Sequence, residues 1–328
     1  MNILTKSEID VSQWEKLSEE SSHITYFQTK ECYDFYCSLS FLEPFVFSIS
    51  EKNKLKGVVC GYIIANGGFV KRFFSRRAII HGGPLLADDI QDETLAQLLM
   101  NTKTYLYKKS IYIEFRNSSD YSKYRTIFIN NGFDYKENLN YVVDTQSNDY
   151  YKNISESKRR QIRKAKLKGV EVTETKTQKD IDEFYAILFR LYKNEVKKPL
   201  FPKEFFEKMV SLPNAHLFVA KYDDRIISGM ACVTYKNEAV YEWFVCGDKE
   251  KYNHLYPSVA ITNAAVEYAA KNGFKKFDFM GAGKPDEEYG VREFKEKFGG
   301  ELVEYGRYLY VCKSFLYKLG SRMIKLKK

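Results

Sequence analysis

The chain has 328 residues, 44% of them hydrophobic and 16% aromatic, and a formal net charge of +9. That is material for two ordinary cores or one large one and excludes a disordered or fibrous chain, while the excess of Lys and Arg favours anionic partners: nucleic acid, nucleotide phosphates or an anionic membrane surface. The six cysteines form no Cys-x-x-Cys pair and have no histidine at zinc-finger spacing, which speaks against a structural zinc and for a reducing compartment. The most apolar run, GVVCGYIIA at 57–65, is less than half of the roughly 20 residues that a bilayer span needs. The N-terminal MNILTKSEID lacks the basic and then apolar layout of a secretion signal, so the cytoplasm is the expected compartment, with the inner face of the membrane as its variant.

In chain order, FVFSISEKNKLKGVVCGYIIA at 45–65 predicts two strands joined by a charged turn. DETLAQLLMNTKTYLY at 92–107 predicts a helix with Leu95, Leu98, Leu99 and Leu106 on one face, followed by the strand SIYIEF. A short helix, a glycine and a long strand then follow in YSKYRTIFINNGFDYKENLNYVVD. At the midpoint, KRRQIRKAKLKGV crowds cations around a thin apolar stripe of Ile162, Ala165 and Leu167, with Gly169 placed to stop the helix. Two readings stand for it: a solvated linker helix or an anion-binding helix. DIDEFYAILFRLYKNE is a strongly amphipathic helix, and Pro202 opens another in PKEFFEKM.

The second half then repeats the order of the first. HLFVAKYDDRIISGMACVTY is again a hairpin, PSVAITNAAVEYAAKNG a helix, KKFDFM a strand, and GVREFKEKFGGELVEYGRYLYVC a short helix, a glycine and a long strand. Pairing Gly57 with Gly229, Ile113 with Phe277 and Gly132 with Gly299 gives three nearly equal offsets, each close to half of the chain. A duplicated unit is the expectation, with Phe128 in the first copy opposite Lys295 in the second.

The stretch GAGKP at 281–285 fails as a phosphate loop, since Pro285 follows the lysine where Ser or Thr is required, and it lacks the third glycine of a dinucleotide fingerprint. Four scattered histidines and no nucleophile elbow leave metal chemistry and triad hydrolysis without support. The Arg-x-x-Gly-x-Gly/Ala loop that holds coenzyme A pyrophosphate is not visible either. On the helix after GAGKP, Phe294 and Phe298 lie one turn apart, Lys295 lies at the border of the buried face, and Glu288–Arg292 and Glu293–Lys297 are spaced as solvent-side pairs. Asp278 and Glu242 each have the chemistry of a base and read as ion-pair partners on exposed faces.

In these motifs the sequence resembles the Fem aminoacyltransferases, which attach amino acids from aminoacyl-tRNA to peptidoglycan precursors. The residues that carry the resemblance are Arg159, Ile162, Arg163, Lys164, Ala165 and Gly169 in the basic helix, the aromatic strand ending Cys246-Gly247, KFDFMG, and Phe294, Lys295, Phe298 and Gly299 in VREFKEKFGG. The resemblance implies an α/β fold of two tandem GNAT-like subdomains, each a mixed sheet flanked by helices, here without a coiled-coil arm. Their expected bounds are 1–150 and 151–313, with 314–328 as a helix that packs on the first or rests on a membrane. It implies aminoacyl transfer to an amine of a cell-wall precursor, lipid-linked or not, or else acyl transfer from acyl-CoA to an amino sugar or peptide amine. Aminoacyl-tRNA or acyl-CoA is then the donor, with no bound cofactor, no metal and no DNA partner. Lys295 would stabilise the oxyanion and Phe294 would shape the channel, while Trp243, Glu242, Arg159, Arg163, Lys164 and Phe298 would meet substrate. Phe201 and Phe205 stand where members that bind a UDP-linked muropeptide carry arginine and tyrosine, and Val245 where they carry tyrosine.

Overall fold

A computed structural model describes residues 9–65, 75–146 and 150–325, with side chains to Arg322. Most of the N-terminal segment read above, residues 1–8, lies outside them, as do the side chains of Met323 and Ile324 on the C-terminal amphipathic stretch. The chain folds as two units: Met1–Asn138 with Glu304–Lys328, and Leu139–Val303.

In the first unit, β1 (Leu42–Glu51) and β2 (Lys54–Ile64) form the expected hairpin. Lys52 and Asn53 both take positive φ, as a two-residue turn that follows the strands' right-handed twist requires. The sheet continues through β3 (Arg77–Gly82), β5 (Tyr112–Asn117), β14 (Arg307–Val311) and β6 (Asp134–Lys136), with the short β4 (Leu85–Leu86) paired to β2. The helix Asp92–Tyr107 lays Leu95, Leu98, Leu99 and Leu106 on one face, against Phe47, Val59, Ile80, Ile113 and Phe115. Helices Val11–Glu20 and Lys30–Ser38 cover part of the other face through Trp14, Leu17 and Tyr33.

The second unit repeats this order. Its hairpin is β9 (Ala215–Tyr222) and β10 (Arg225–Tyr235), again with a two-residue turn at positive φ, Asp223–Asp224. Outward from it run β11 (Ala239–Gly247), β12 (Lys276–Asp278), β7 (Leu139–Asp144) and β13 (Glu301–Glu304), with β8 (Glu171–Glu174) on β9. The core gathers Ile227, Met230, Val240, Phe277 and Phe279 under the helix Pro257–Lys271, from which Ile261, Ala265, Val266 and Ala269 point inward.

These units differ from the expected 1–150 and 151–313 in where two long strands go. β7 pairs with β12 and completes the second sheet, while β14 pairs with β5 and completes the first. The C-terminal helix Ser314–Lys325 follows β14 into the first unit, where Tyr317 meets Tyr112 edge-on at 5.6 Å.

Candidate functional site

Each sheet holds a parallel pair, and the two pairs are not alike. In the first unit β3 and β5 stay zipped over six residue pairs, Arg77↔Tyr112 to Gly82↔Asn117. In the second, β11 and β12 pair at Ala239↔Lys276, Val240↔Phe277 and Tyr241↔Asp278, and then part. β11 runs on to Gly247, and Trp243 is an extra residue between Glu242↔Cys232 and Phe244↔Ala231. Such a bulge bends a strand and re-aims its side chains. The copy with a parted strand pair therefore offers an open edge where the other copy is closed.

Lys295 sits at the parting point. It projects from the helix Gly290–Glu296, and its ammonium donates to the carbonyls of Phe279 at 2.7 Å and Gly281 at 2.9 Å and meets Glu242 Oε1 at 2.9 Å. Three acceptors match three ammonium protons. Lys295 and Glu242 are both buried, at 7% and 6% exposure, and burial raises the Glu242 carboxyl while Lys295 opposes that rise. Glu242 and Asp278 are thus buried and not on exposed faces. Val240, Tyr241 and Glu242 pair in unbroken register with Thr234, Val233 and Cys232, so Glu242 lies on the core face with Val240 and Cys232. Phe128, opposite Lys295 in the duplication, is fully buried and stacks on Tyr308 at 3.9 Å. A cation with three buried acceptors has taken the place of an aromatic core residue.

The carbonyls that hold Lys295 are held in turn. Met280 takes φ +56°, rare for a residue with a side chain. Asp278 Oδ1 accepts from Met280 N at 2.7 Å and Asn140 Nδ2 at 2.8 Å, and Asn140 Oδ1 accepts from Gly281 N at 2.7 Å. Asp278 Oδ2 is buried without a hydrogen-bond partner among the described residues, and burial raises this carboxyl. Ala282 N donates to Leu139 O, so the amides of Gly281 and Ala282 are engaged with β7 and do not form a phosphate cradle. Arg292 donates to the carbonyls of Ala282, Lys284 and Pro285 and fastens the loop from the other side; the sequence spacing had placed it in a solvent-side pair with Glu288.

Phe294 is half-buried, 5.2 Å from Phe298, and Lys158 Nζ lies 4.2 Å from its ring. Burial, reinforced by Lys297 and Lys249, pushes Lys158 down to about 8. Phe298, expected to meet substrate, is wholly buried and packs against Phe279 in the core. Gly299 has φ +81°, and a Cβ on it would lie 2.5 Å from the Asn153 carbonyl oxygen. Gly299→Ala is expected to lower stability by about 2 kcal/mol or more, measured by denaturant unfolding. The Phe-Gly half of the signature is structural.

The basic helix Glu156–Leu167 packs on the helix Pro257–Lys271 through its own inner face, with Ala165 and Lys158 buried and Ile162 half-buried. Leu167, expected on that stripe, is 86% exposed, because it falls in the last turn beyond the contact. Arg160, Arg163, Lys164, Lys166 and Lys168 are exposed, Arg159 is partly buried, and Arg159 Nε has no hydrogen-bond partner among the described residues. Trp243 stands edge-on to Phe205 at 4.9 Å, and Phe201 stacks on Phe205 at 4.6 Å. Lys295 and Glu242 are thus brought together at the parting point, Phe294 lies with Phe298 and Lys158, and Trp243 lies with the aromatic cluster. The sequence reading missed Lys158, Asn140 and Arg292: the first stands in a run of six cations, the second acts on the backbone of a distant segment, and the third on the carbonyls of the loop before its own helix.

The segment from Asp248 to Tyr256 closes on itself, Tyr252 N donating to Asp248 O and Tyr256 N to Asn253 O. Pro257 at the first turn of the following helix removes another donor.

Residues 152–296 match the family model of the acetyltransferase (GNAT) domain. The fold extends the likeness across the chain. It shares 97% of its length with 99% of the structure of FemX, at TM-score 0.70 and 14% identity. The chain has a tandem GNAT fold. A tandem GNAT protein from the clavulanic acid biosynthesis pathway covers 95% of it with 98% of its own length, at TM-score 0.61 and 8% identity. L-PGS from Bacillus licheniformis covers 93% with 92%, at 0.58 and 14%. No curated protein matches by sequence. The matched stretch makes the second GNAT unit an acyltransferase domain, and the parted strand pair lies within it.

Proposed function

We propose that this tandem GNAT protein transfers an amino acid from aminoacyl-tRNA to an amine of a cell-wall precursor. The observation that carries the reading is the pairing of an opened β11–β12 edge around Lys295 with an exposed cationic helix face in the same unit. The acceptor nitrogen attacks the ester carbonyl, the tetrahedral oxyanion forms, and the ribose oxygen of the tRNA leaves with the proton that the amine gives up. Lys295 turns one of its three N–H groups from a present acceptor to that oxyanion, the remaining acceptors fix where the ammonium sits, and Phe294 lines the approach. The cations of the helix Glu156–Leu167 take the phosphates of the tRNA. The exposed Phe315 and Leu319 with Lys318 and Arg322 on the C-terminal helix suit peripheral contact with an anionic membrane, where a lipid-linked acceptor would lie.

The acetyltransferase match favours a second reading, acyl transfer from acyl-CoA to an amino sugar or peptide amine. The two separate by donor binding. Charged tRNA is expected to bind with submicromolar affinity in a filter assay, while saturating acyl-CoA leaves the melting temperature unchanged. A clear upward shift with acyl-CoA and no retention of tRNA would replace the first reading by the second.

A further inference from the structure

The first unit, closed where the second is open, carries its own concentration of charge. On one face of its sheet, His81 pairs directly with Arg116, Arg116 with Arg307, and Arg307 with Lys136, a row across four adjacent strands. Like charges directly opposite one another on a sheet repel. Among the described residues Asp134 answers Lys136 at 3.6 Å, and one carboxylate lies between the two arginines: Glu114 Oε2 receives Arg116 at 2.8 Å and Glu114 Oε1 receives Arg307 at 3.1 Å. Burial would raise this carboxyl, but the two guanidiniums outweigh it and bring it down to about 2. A single charge therefore answers two, with Arg77 a further cation on β3.

The arginine side chains remain about one-third exposed, 32% for Arg116 and 33% for Arg307. Beside them the His81 ring, 3.2 Å from the Tyr62 hydroxyl, is held neutral by its burial and by the arginines. A guanidinium presents five donors, and Glu114 takes only part of the ten that the pair offers. The planar fork suits bidentate recognition of phosphate and carboxylate.

We infer that Arg116 and Arg307 form an anion-binding site of the first unit, taking a phosphate or carboxylate group of a small ligand, with Glu114 as the internal anion that competes for the same donors. The site is independent of which donor the second unit uses. The test is calorimetric titration of the full-length protein with inorganic phosphate, pyrophosphate and succinate, in the wild type, Glu114→Gln and Arg116→Gln, with circular dichroism to confirm the fold. Freeing both guanidiniums from Glu114 is expected to tighten anion binding about tenfold, whereas Arg116→Gln weakens it about tenfold or more. Preference for phosphate or pyrophosphate assigns a phosphorylated ligand, and preference for succinate a carboxylate-bearing one. If Glu114→Gln leaves affinity unchanged or the wild type binds none of the three, the cluster is a structural salt bridge and the proposal fails. Should Arg116→Gln not fold, the Glu114→Gln titration decides alone.

Discussion

Lys295→Ala is expected to lower transfer by about a hundredfold or more and to cost about 3–5 kcal/mol of stability. Both effects have one source. The substitution leaves Glu242 buried and unpaired and releases the carbonyls of Phe279 and Gly281. Loss of fold and loss of chemistry would then be confounded, so the double substitution Lys295→Met with Glu242→Leu is the sharper probe. Replacing both members of a buried pair by apolar groups is often neutral or stabilising. The double variant is expected to melt closer to the wild type than Lys295→Ala does, short of it by the cost of the two released carbonyls, and to transfer nothing. Recovery of activity in it would mean that the pair is scaffolding. Lys295→Arg is expected not to rescue, because a planar guanidinium does not fit three acceptors gathered around a point charge.

Replacing Arg160, Arg163, Lys164 and Lys166 together by alanine is expected to weaken tRNA binding by about a hundredfold or more and to flatten its salt dependence by roughly three units of log–log slope, if each cation meets one phosphate. The melting temperature should stay within a few degrees, because all four side chains are exposed and lie opposite the packed face. Binding measured between 50 and 300 mM salt, on the order of the range where counterion release dominates, reads both quantities. An unchanged slope would remove the helix from the donor site and strengthen the acyl-CoA reading.

Much of the architecture was legible because duplication leaves marks that a single sequence keeps. The glycine offsets, the two charged hairpin turns and the repeated strand and helix order led to two similar units, and both sheets have that order. The exchange of β7 and β14 was not legible. A strand's alternating pattern says which face is buried but not which sheet takes it, and either sheet would have satisfied the pattern of LNYVVD or RYLYV. The position of Lys295 at the border of a buried face followed from the helical angle to Phe294. Its acceptors did not, since two are main-chain carbonyls and the third, Glu242, is a carboxylate on the core face with Val240 and Cys232, where residue type argues for solvent. Lys158 shows the same limit: in a run of cations nothing but packing says which one turns inward to meet Phe294.

The central claim, aminoacyl transfer at the parted strands of the second unit, is tested most directly by single-turnover transfer of radiolabelled amino acids from a charged tRNA pool to a muropeptide acceptor, followed by mass spectrometry of the product. The wild type is expected to form an amide on the acceptor amine, and the Lys295→Met with Glu242→Leu variant to form none while remaining folded. Transfer that proceeds equally in the variant, or a wild type that modifies the acceptor only when acyl-CoA replaces the charged tRNA, would contradict it.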